Sequence, residues 1–298
     1  MAAIVETDRL TKRYGAARGI EEVSLEVQAG EIFGFLGPNG AGKTTAIRTL
    51  LDLLHPTSGS ARIFGLDSHR HSRAIRARLG NLPGDFSTDE RLTGRAFLQF
   101  CAEARGVPGL GAAAELARRF EAQLDRPVGE LSSGNRQKIG LIQALFHGPE
   151  LLLLDEPTTG LDPLMQEEFL AVIGEHRNAG GTVFLSSHDL DEVGRVCDRV
   201  GIIREGRLIA VEHVSELRHR AYHHVSIDFE APVDAGDFAR IPGVTSLVAE
   251  GGHVAFKIEG ELDPVVKAAA RHTVTDMEVT EPTLEEIFLT FYGREATS

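Results

Sequence analysis

Eight consecutive residues, Gly37-Pro38-Asn39-Gly40-Ala41-Gly42-Lys43-Thr44, match the phosphate-binding loop pattern G-x-x-x-x-G-K-[ST]. Three glycines allow the backbone to wrap closely around an anion with its N–H groups turned inward. A helix starting near Lys43, with Thr45 in its first turn, would point its positive end at the same phosphates. Lys43 would then lie on the β- and γ-phosphates, and the Thr44 hydroxyl on Mg²⁺.

Further along, Leu131-Ser132-Ser133-Gly134-Asn135-Arg136 runs into an apolar helical stretch, so Ser132, Ser133 and Gly134 supply an N-cap and a second anion-ready helix start. Leu151-Leu152-Leu153-Leu154 reads as a buried strand with Asp155 and Glu156 at its C-terminal end, where open α/β sheets bind ligands. There Asp155 would hold Mg²⁺ through water, and Glu156 would orient or polarise an attacking water. Thr182 to Ser187 is another apolar run and ends in His188, which could donate to a γ-phosphate or be simply structural. Tyr14, the one aromatic before Phe33, could stack on a nucleotide base or merely end a strand.

Elements must hold these residues in place. Glu31 to Leu36 is the apolar strand that should feed the phosphate loop, with apolar residues at helical spacing from Thr45 to Leu51 after it. Before it, Ile4–Leu10 and Ile20–Val27 read as strands. Residues 68–78 read as an exposed basic helix, and 79–86 as a strand leaving into a loop. Residues 92–123 read as two helices broken at Pro108-Gly109, with Phe97, Phe100, Cys101 and Ala104 falling on one face. Helices over Lys138–Phe146 and Leu164–His176 and a hairpin around Glu205-Gly206 complete the first part.

The 298 residues suffice for two domains. Net charge is −13, and residues 220–298 carry 14 acidic against 6 basic side chains, which opposes a duplex-binding surface. No Trp is present, which argues against single-strand binding by base stacking. Cys101 and Cys197 have no metal spacing and read as reduced thiols. No apolar run has the length of a membrane span and no signal peptide opens the chain.

Taken together in order and spacing, these motifs resemble the nucleotide-binding subunit of an ATP-binding cassette (ABC) transporter over about residues 1–215. Gly37 to Thr45 resembles the Walker A loop, Leu131 to Arg136 the family signature, and Leu151 to Glu156 Walker B with the catalytic glutamate. Gly160-Leu161-Asp162 resembles the D-loop, His188 the switch histidine, and Tyr14 the adenine-stacking aromatic. The resemblance implies ATP and Mg²⁺ as cofactors. It implies a pair of cassettes, expected as a homodimer, in which Ser132-Ser133-Gly134 of one chain closes on the ATP held by the other. It also implies separate polytopic permease subunits, reached through a groove near residues 84–91, and a peripheral place on the cytoplasmic face of the membrane, with no nucleic-acid partner. Two departures stand out. The signature reads Leu-Ser-Ser-Gly-Asn. Pro83 is followed by Gly84 where the family carries Gln or Glu, so Asp85 becomes a candidate metal ligand through a shifted backbone, unless the metal keeps an extra water.

The expected fold is α/β: a P-loop ABC-ATPase core over residues 1–218, with a helical subdomain inserted at about 86–145, and a small α+β accessory domain over 219–298. Strands at 224–229, 244–249, 254–258 and 274–279, with helices at 234–241 and 262–271, give a ferredoxin-like βαββαβ order, followed by a helix over Thr283–Tyr292. That ending resembles cassettes of drug and antibiotic exporters, with a structural, dimer-stabilising or regulatory role. The expected activity is ATP hydrolysis that powers export of a small drug-, antibiotic- or lipid-like molecule. A soluble cassette ATPase and a non-hydrolysing regulatory cassette are the competing readings.

Overall fold

A computed structural model describes residues 3–280, apart from 16, 220 and 221. In chain order the strands and helices are β1 (Ala3–Tyr14), β2 (Ala17–Gln28), β3 (Ile32–Leu36), α1 (Lys43–Leu50), β4 (Ser58–Ile63), β5 (Leu66–Asp67), α2 (Ser72–Arg78), β6 (Leu79–Leu82), α3 (Gly94–Arg105), α4 (Gly111–Arg119), α5 (Ser133–Leu145), β7 (Leu151–Asp155), α6 (Pro163–Asn178), β8 (Thr182–Ser187), α7 (Leu190–Val196), β9 (Arg199–Arg204), β10 (Arg207–His213), α8 (Val214–His219), β11 (His223–Phe229), α9 (Gly236–Ala239), β12 (Val244–Glu250), β13 (His253–Ile258), α10 (Asp263–Ala269) and β14 (Val274–Thr280).

The chain divides into two compact units, Met1–Glu212 and His213–Ser298. In the first, a six-stranded sheet runs β10-β9-β3-β8-β7-β6, and β3, β6, β7, β8 and β9 pair in parallel. Its central strands β3, β7 and β8 are buried along their whole length, as a parallel sheet covered on both faces requires. Phe33 and Phe35 of β3 meet Phe184 of β8 at ring-centroid distances of 5.6 and 5.4 Å. A second, antiparallel sheet runs β2-β1-β4-β5. One core joins the two sheets through α1, with Val5 and Ile20 on one side, Ile47 and Leu50 on the helix, and Phe35 and Leu153 on the other. The phosphate-loop helix is thereby wedged between two sheets. The helices α3, α4 and α5 lie in sequence between β6 and β7.

Several boundaries differ from the sequence expectation. Strand β1 continues past Leu10 to Tyr14, because residues 12–14 pair with residues 17–20 of β2 in a long hairpin. Helix α2 starts only at Ser72, since the Asp67 carboxylate accepts the N–H groups of His69 and Arg70 and makes residues 67–70 a turn. Helix α5 starts at Ser133 rather than Lys138, because Ser132 caps it by accepting the Asn135 N–H. The inward face of α3 is Leu98 and Ala102, whereas Phe100 is 64% exposed and Ala104 also faces outward.

The second unit carries the expected βαββαβ order, with α9 and α10 as its crossovers. Its sheet runs β12-β13-β11-β14 with every neighbour antiparallel, the arrangement of a ferredoxin-like fold. Alternate residues Val225, Ile227 and Phe229 of β11 and Val254, Phe256 and Ile258 of β13 form its core with Phe238 and Val265 of the helices. Helix α9 is shorter than expected. Asp234 accepts the Gly236 N–H in a turn at one end, and Pro242 bars extension at the other. The expected helix over Thr283–Tyr292 lies outside the described residues.

Candidate functional site

The chain leaves β3 into the glycine loop and re-enters helix at Lys43. Gly42 makes that transition at φ 110°, a conformation open to glycine and strained for other residues. Gly37 is needed for space: a Cβ there would lie 2.2 Å from the Ile203 carbonyl oxygen. The loop and Glu156 line a cleft of about 190 Å³, whose walls are Gly19, residues 38–45 and Glu156. Pro38, Asn39, Gly40, Ala41, Gly42, Lys43, Thr44 and Thr45 therefore stand together as the motif requires.

Lys43 is almost fully buried at the foot of this cleft. Its Nζ donates to the carbonyl oxygens of Gly37 (2.5 Å) and Pro38 (3.3 Å) and lies 3.1 Å from Glu156 Oε1. Glu156 Oε2 lies 2.7 Å from His188 Nδ1. Three residues far apart in sequence thus form one chain of contacts, Lys43–Glu156–His188. Glu156 reaches this position with φ 51°, a left-handed backbone that costs a non-glycine residue about 1–3 kcal/mol and needs support from its surroundings. The support comes from Ser186, whose carbonyl and hydroxyl oxygens both accept the Glu156 N–H, at 3.2 and 3.1 Å. The same hydroxyl donates to Asp155 Oδ1 at 2.5 Å, so one serine of β8 orients both acidic residues at the end of β7.

The other oxygen of Asp155 faces Gly84. A Cβ on Gly84 would lie 3.2 Å from Asp155 Oδ2, so a side chain at this position would begin beside the carboxylate. Asp85 does not take up that place: it is exposed and paired with Arg48 at 2.9 Å. Tyr14 is 45% exposed at the end of β1, with its ring over Gly19 at the cleft wall. A Cβ on Gly19 would lie 2.5 Å from the Lys12 carbonyl oxygen, 3.0 Å from the Tyr14 ring and 3.2 Å from Thr45 Cγ2, so only glycine fits between them.

The start of α5, with Ser132, Ser133 and Gly134, lies against the loop that follows Glu156 within the same chain. A Cβ on Gly134 would lie 2.5 Å from the Gly160 carbonyl oxygen. One turn later Gln137 donates from Nε2 to the carbonyls of Glu156 (3.3 Å) and Pro157 (2.9 Å). Asp162 caps α6 by accepting the Met165 N–H at 3.1 Å.

Sequence reasoning passed over Gly19, Gln137, Ser186 and Glu192. Only Glu192 carried a local signal, as one of the acids clustered after His188. Glu192 Oε2 accepts from Thr158 Oγ1 (3.0 Å) and Ser187 Oγ (3.3 Å), which joins the turn after Glu156 to the end of β8. Its Oε1 is buried without a hydrogen-bond partner among the described residues. Burial, aided by the nearby carboxylates of Asp189 and Glu156, pushes its carboxyl up to about 7 against the opposing hydroxyl hydrogen bonds. A folded-state value above the unfolded one means that the neutral form stabilises the fold at low pH. That contribution is complete below about 4.5 and lost as pH rises through about 7. Glu192→Gln should therefore gain about 2–3 kcal/mol on the wild type between pH 5 and pH 8. Urea unfolding of both proteins at the two pH values tests this, and a stability difference that does not move with pH would refute it.

Comparisons with known proteins place the chain among its relatives. A profile of the ABC transporter family matches residues 20–159, and one described as "ATP-binding protein DrrA1-3-like, C-terminal domain" matches residues 213–292. The bacitracin transport ATP-binding protein BcrA of Bacillus licheniformis is 40% identical over 233 residues, 74% of each chain. The daunorubicin resistance ATP-binding protein DrrA2 of Streptomyces coeruleorubidus is 34% identical over 310 residues, covering 97% of this chain and 95% of the relative. Among solved structures, an ATP-binding subunit of an ABC transporter superposes with a TM-score of 0.67 at 30% identity, over 72% of this chain and 92% of that one. A dimeric bacterial ABC transporter cassette, 22% identical with a TM-score of 0.65, over 70% of this chain and 98% of that one, shares the fold. With Lys43, Glu156 and His188 meeting at a phosphate loop, and with relatives matched along almost its whole length, this chain belongs to the ABC transporter family as an ATP-binding, ATP-hydrolysing subunit.

Proposed function

We propose that the chain powers export of a small drug-, antibiotic- or lipid-like molecule through separate membrane subunits, as one of two identical cassettes that close on ATP. The observation that carries the catalytic part is the pairing of Lys43 with Glu156 at the foot of the cleft. Without nucleotide, the lysine is held by its own loop carbonyls and by the carboxylate. Phosphate oxygens arriving at the Gly40–Thr44 N–H groups would draw Lys43 away and free Glu156 to accept a proton from water. His188, in contact with Glu156 and exposed on its far side, would hold that carboxylate and sense the γ-phosphate. Tyr14 would stack on the base beside Gly19. Ser132, Ser133 and Gly134, at the capped start of α5, would bring a helix N-terminus to the nucleotide of the opposite chain and supply charge stabilisation in trans.

Thr44 and Asp155 offer oxygen donors only, as Mg²⁺ prefers, and Asp155 Oδ2 is turned towards the side-chain-free Gly84 rather than bonded to a neighbour such as Ser186. These two residues would hold the ion, which neutralises phosphate charge when bound. Asp85, engaged with Arg48, is left out of this set.

Among the described residues no helix is long and apolar enough to cross a membrane. The passage for the transported molecule would be formed by separate membrane subunits. The exposed Phe100 on α3, and the loop whose Phe86 packs edge-on against Phe97 of the same helix at 5.8 Å, are where we place that partner. The export assignment follows the relatives, whose names give bacitracin transport and daunorubicin resistance. The test is purification of the chain from detergent-solubilised membranes of its own host. A polytopic partner with two copies of this chain is the expected result. Recovery with ribosomes, with DNA or alone would overturn the export reading.

A further inference from the structure

A second cluster of ligand-bearing side chains lies outside the nucleotide cleft. Asp52, His55 and His69 each offer one ligand atom, and these atoms lie within 4.8 Å of one another. Asp52 Oδ1 is 3.2 Å from His55 Nδ1 and 2.7 Å from His69 Nδ1. The two imidazole rings meet nearly at right angles, with centroids 4.8 Å apart. Elsewhere in the described chain a histidine–carboxylate pair such as His253–Asp228 brings one imidazole to its acid, whereas here two converge on a single oxygen.

Each backbone in the cluster is fixed independently. Asp52 ends the phosphate-loop helix in a left-handed turn at φ 57°, a conformation Asp tolerates, and its N–H bonds to the Thr49 carbonyl. Its side chain is only 12% exposed, so the carboxylate forms the floor of the cluster. His55 precedes Pro56, which restricts its backbone to extended conformations. His69 is set by the Asp67 turn, where the carboxylate accepts its N–H. The rings of His55 and His69 are open to solvent above the carboxylate.

We infer that Asp52, His55 and His69 form a binding site for a borderline divalent cation of the zinc class. Two imidazoles and one carboxylate suit Zn²⁺, Co²⁺ or Ni²⁺, whereas Mg²⁺ and Ca²⁺ ask for oxygen alone. Ligands of a tetrahedral Zn²⁺ stand about 3.3 Å apart, so a cation would widen the 2.7 and 3.2 Å contacts slightly and bring all three ligand atoms, now within 4.8 Å of one another, to that spacing. On binding, each imidazole would give its Nδ1 lone pair to the cation, and the proton that Nδ1 shares with Asp52 in the empty site would move to Nε2. The exposed side leaves a fourth position for water. A cation here would tie the end of α1 to the turn between β5 and α2, joining the phosphate-loop helix to the antiparallel sheet by a bond rather than by packing alone.

The test is calorimetric titration of the untagged full-length chain with Zn²⁺ in phosphate- and nucleotide-free buffer, beside Co²⁺ absorption spectra. One Zn²⁺ per chain is expected, with Co²⁺ bands of nitrogen and oxygen ligation and no thiolate charge-transfer band. The pair of substitutions His55→Asn and His69→Asn should weaken binding about 30-fold or more, as should Asp52→Asn alone, while His253→Asn leaves it unchanged. Saturating Zn²⁺ should raise the melting temperature of the wild type and not that of the double variant. Melting in EDTA identifies any variant that is misfolded, and the single and double variants check each other. Unchanged Zn²⁺ affinity in both folded variants, or thiolate bands in the Co²⁺ spectrum, would overturn the assignment.

Discussion

Glu156→Gln is expected to lower ATP turnover by about 10²–10³-fold while leaving nucleotide binding intact. An amide keeps the size and shape of the side chain and can still contact Lys43 and His188. It cannot take up a proton from water. The loss should therefore fall on kcat and not on nucleotide affinity. The left-handed turn at residue 156 is held by Ser186 through the backbone N–H, which the substitution leaves untouched, so the fold around it should persist. With hydrolysis blocked and binding preserved, ATP should shift the variant to a stable dimer in gel filtration. Turnover close to wild type would remove Glu156 from the role of catalytic carboxylate.

The second large effect concerns Lys43. Lys43→Ala should weaken ATP binding by about 10²-fold and bring turnover to background, since a charge-assisted contact to phosphate is lost. Its environment adds a further term. Nζ is nearly buried and faces the carbonyls of Gly37 and Pro38 as well as Glu156. Removing it leaves three oxygens converging on a small void without a cation, which destabilises the empty cleft as well as the loaded one. The variant should thus melt earlier than the wild type even without nucleotide. Fluorescent-nucleotide titration, turnover and nucleotide-free melting separate the two effects. Wild-type affinity in a folded Lys43→Ala protein would contradict the placement of phosphate at this loop.

Much of the site was legible because its motifs are dictated by local chemistry. A loop that wraps an anion needs glycine at fixed spacings, and a buried strand ending in acids has few uses other than a site at the strand's C-terminal end. Contacts made between distant elements were harder to read. Nothing near Ser186 indicates that its hydroxyl orients Asp155, and nothing near Gln137 indicates that it caps the carbonyls of Glu156 and Pro157. Gly19 looks like an ordinary hairpin residue until the Tyr14 ring and Thr45 are seen on either side of it. Strand ends were misjudged where pairing overrode composition: the polar Thr11-Lys12-Arg13 stretch is strand because its partner in β2 continues beside it. On α3, the choice between neighbouring apolar stripes was made by the helix's contacts, which took Leu98 and Ala102 and left Phe100 outside.

In a closed pair of chains the Gln137 amide would have a kinetic consequence. It fastens the start of α5 to the turn carrying Glu156, and Gly134 lies hard against Gly160 in the same region. In a pair of such chains, the helix end reaching across to one nucleotide would be tied to the turn that carries the water-activating carboxylate at the other. Neither bond cleavage nor release could then proceed on its own clock. The two turnover cycles would run in step, and the rate would rise with ATP concentration more steeply than two separate sites allow.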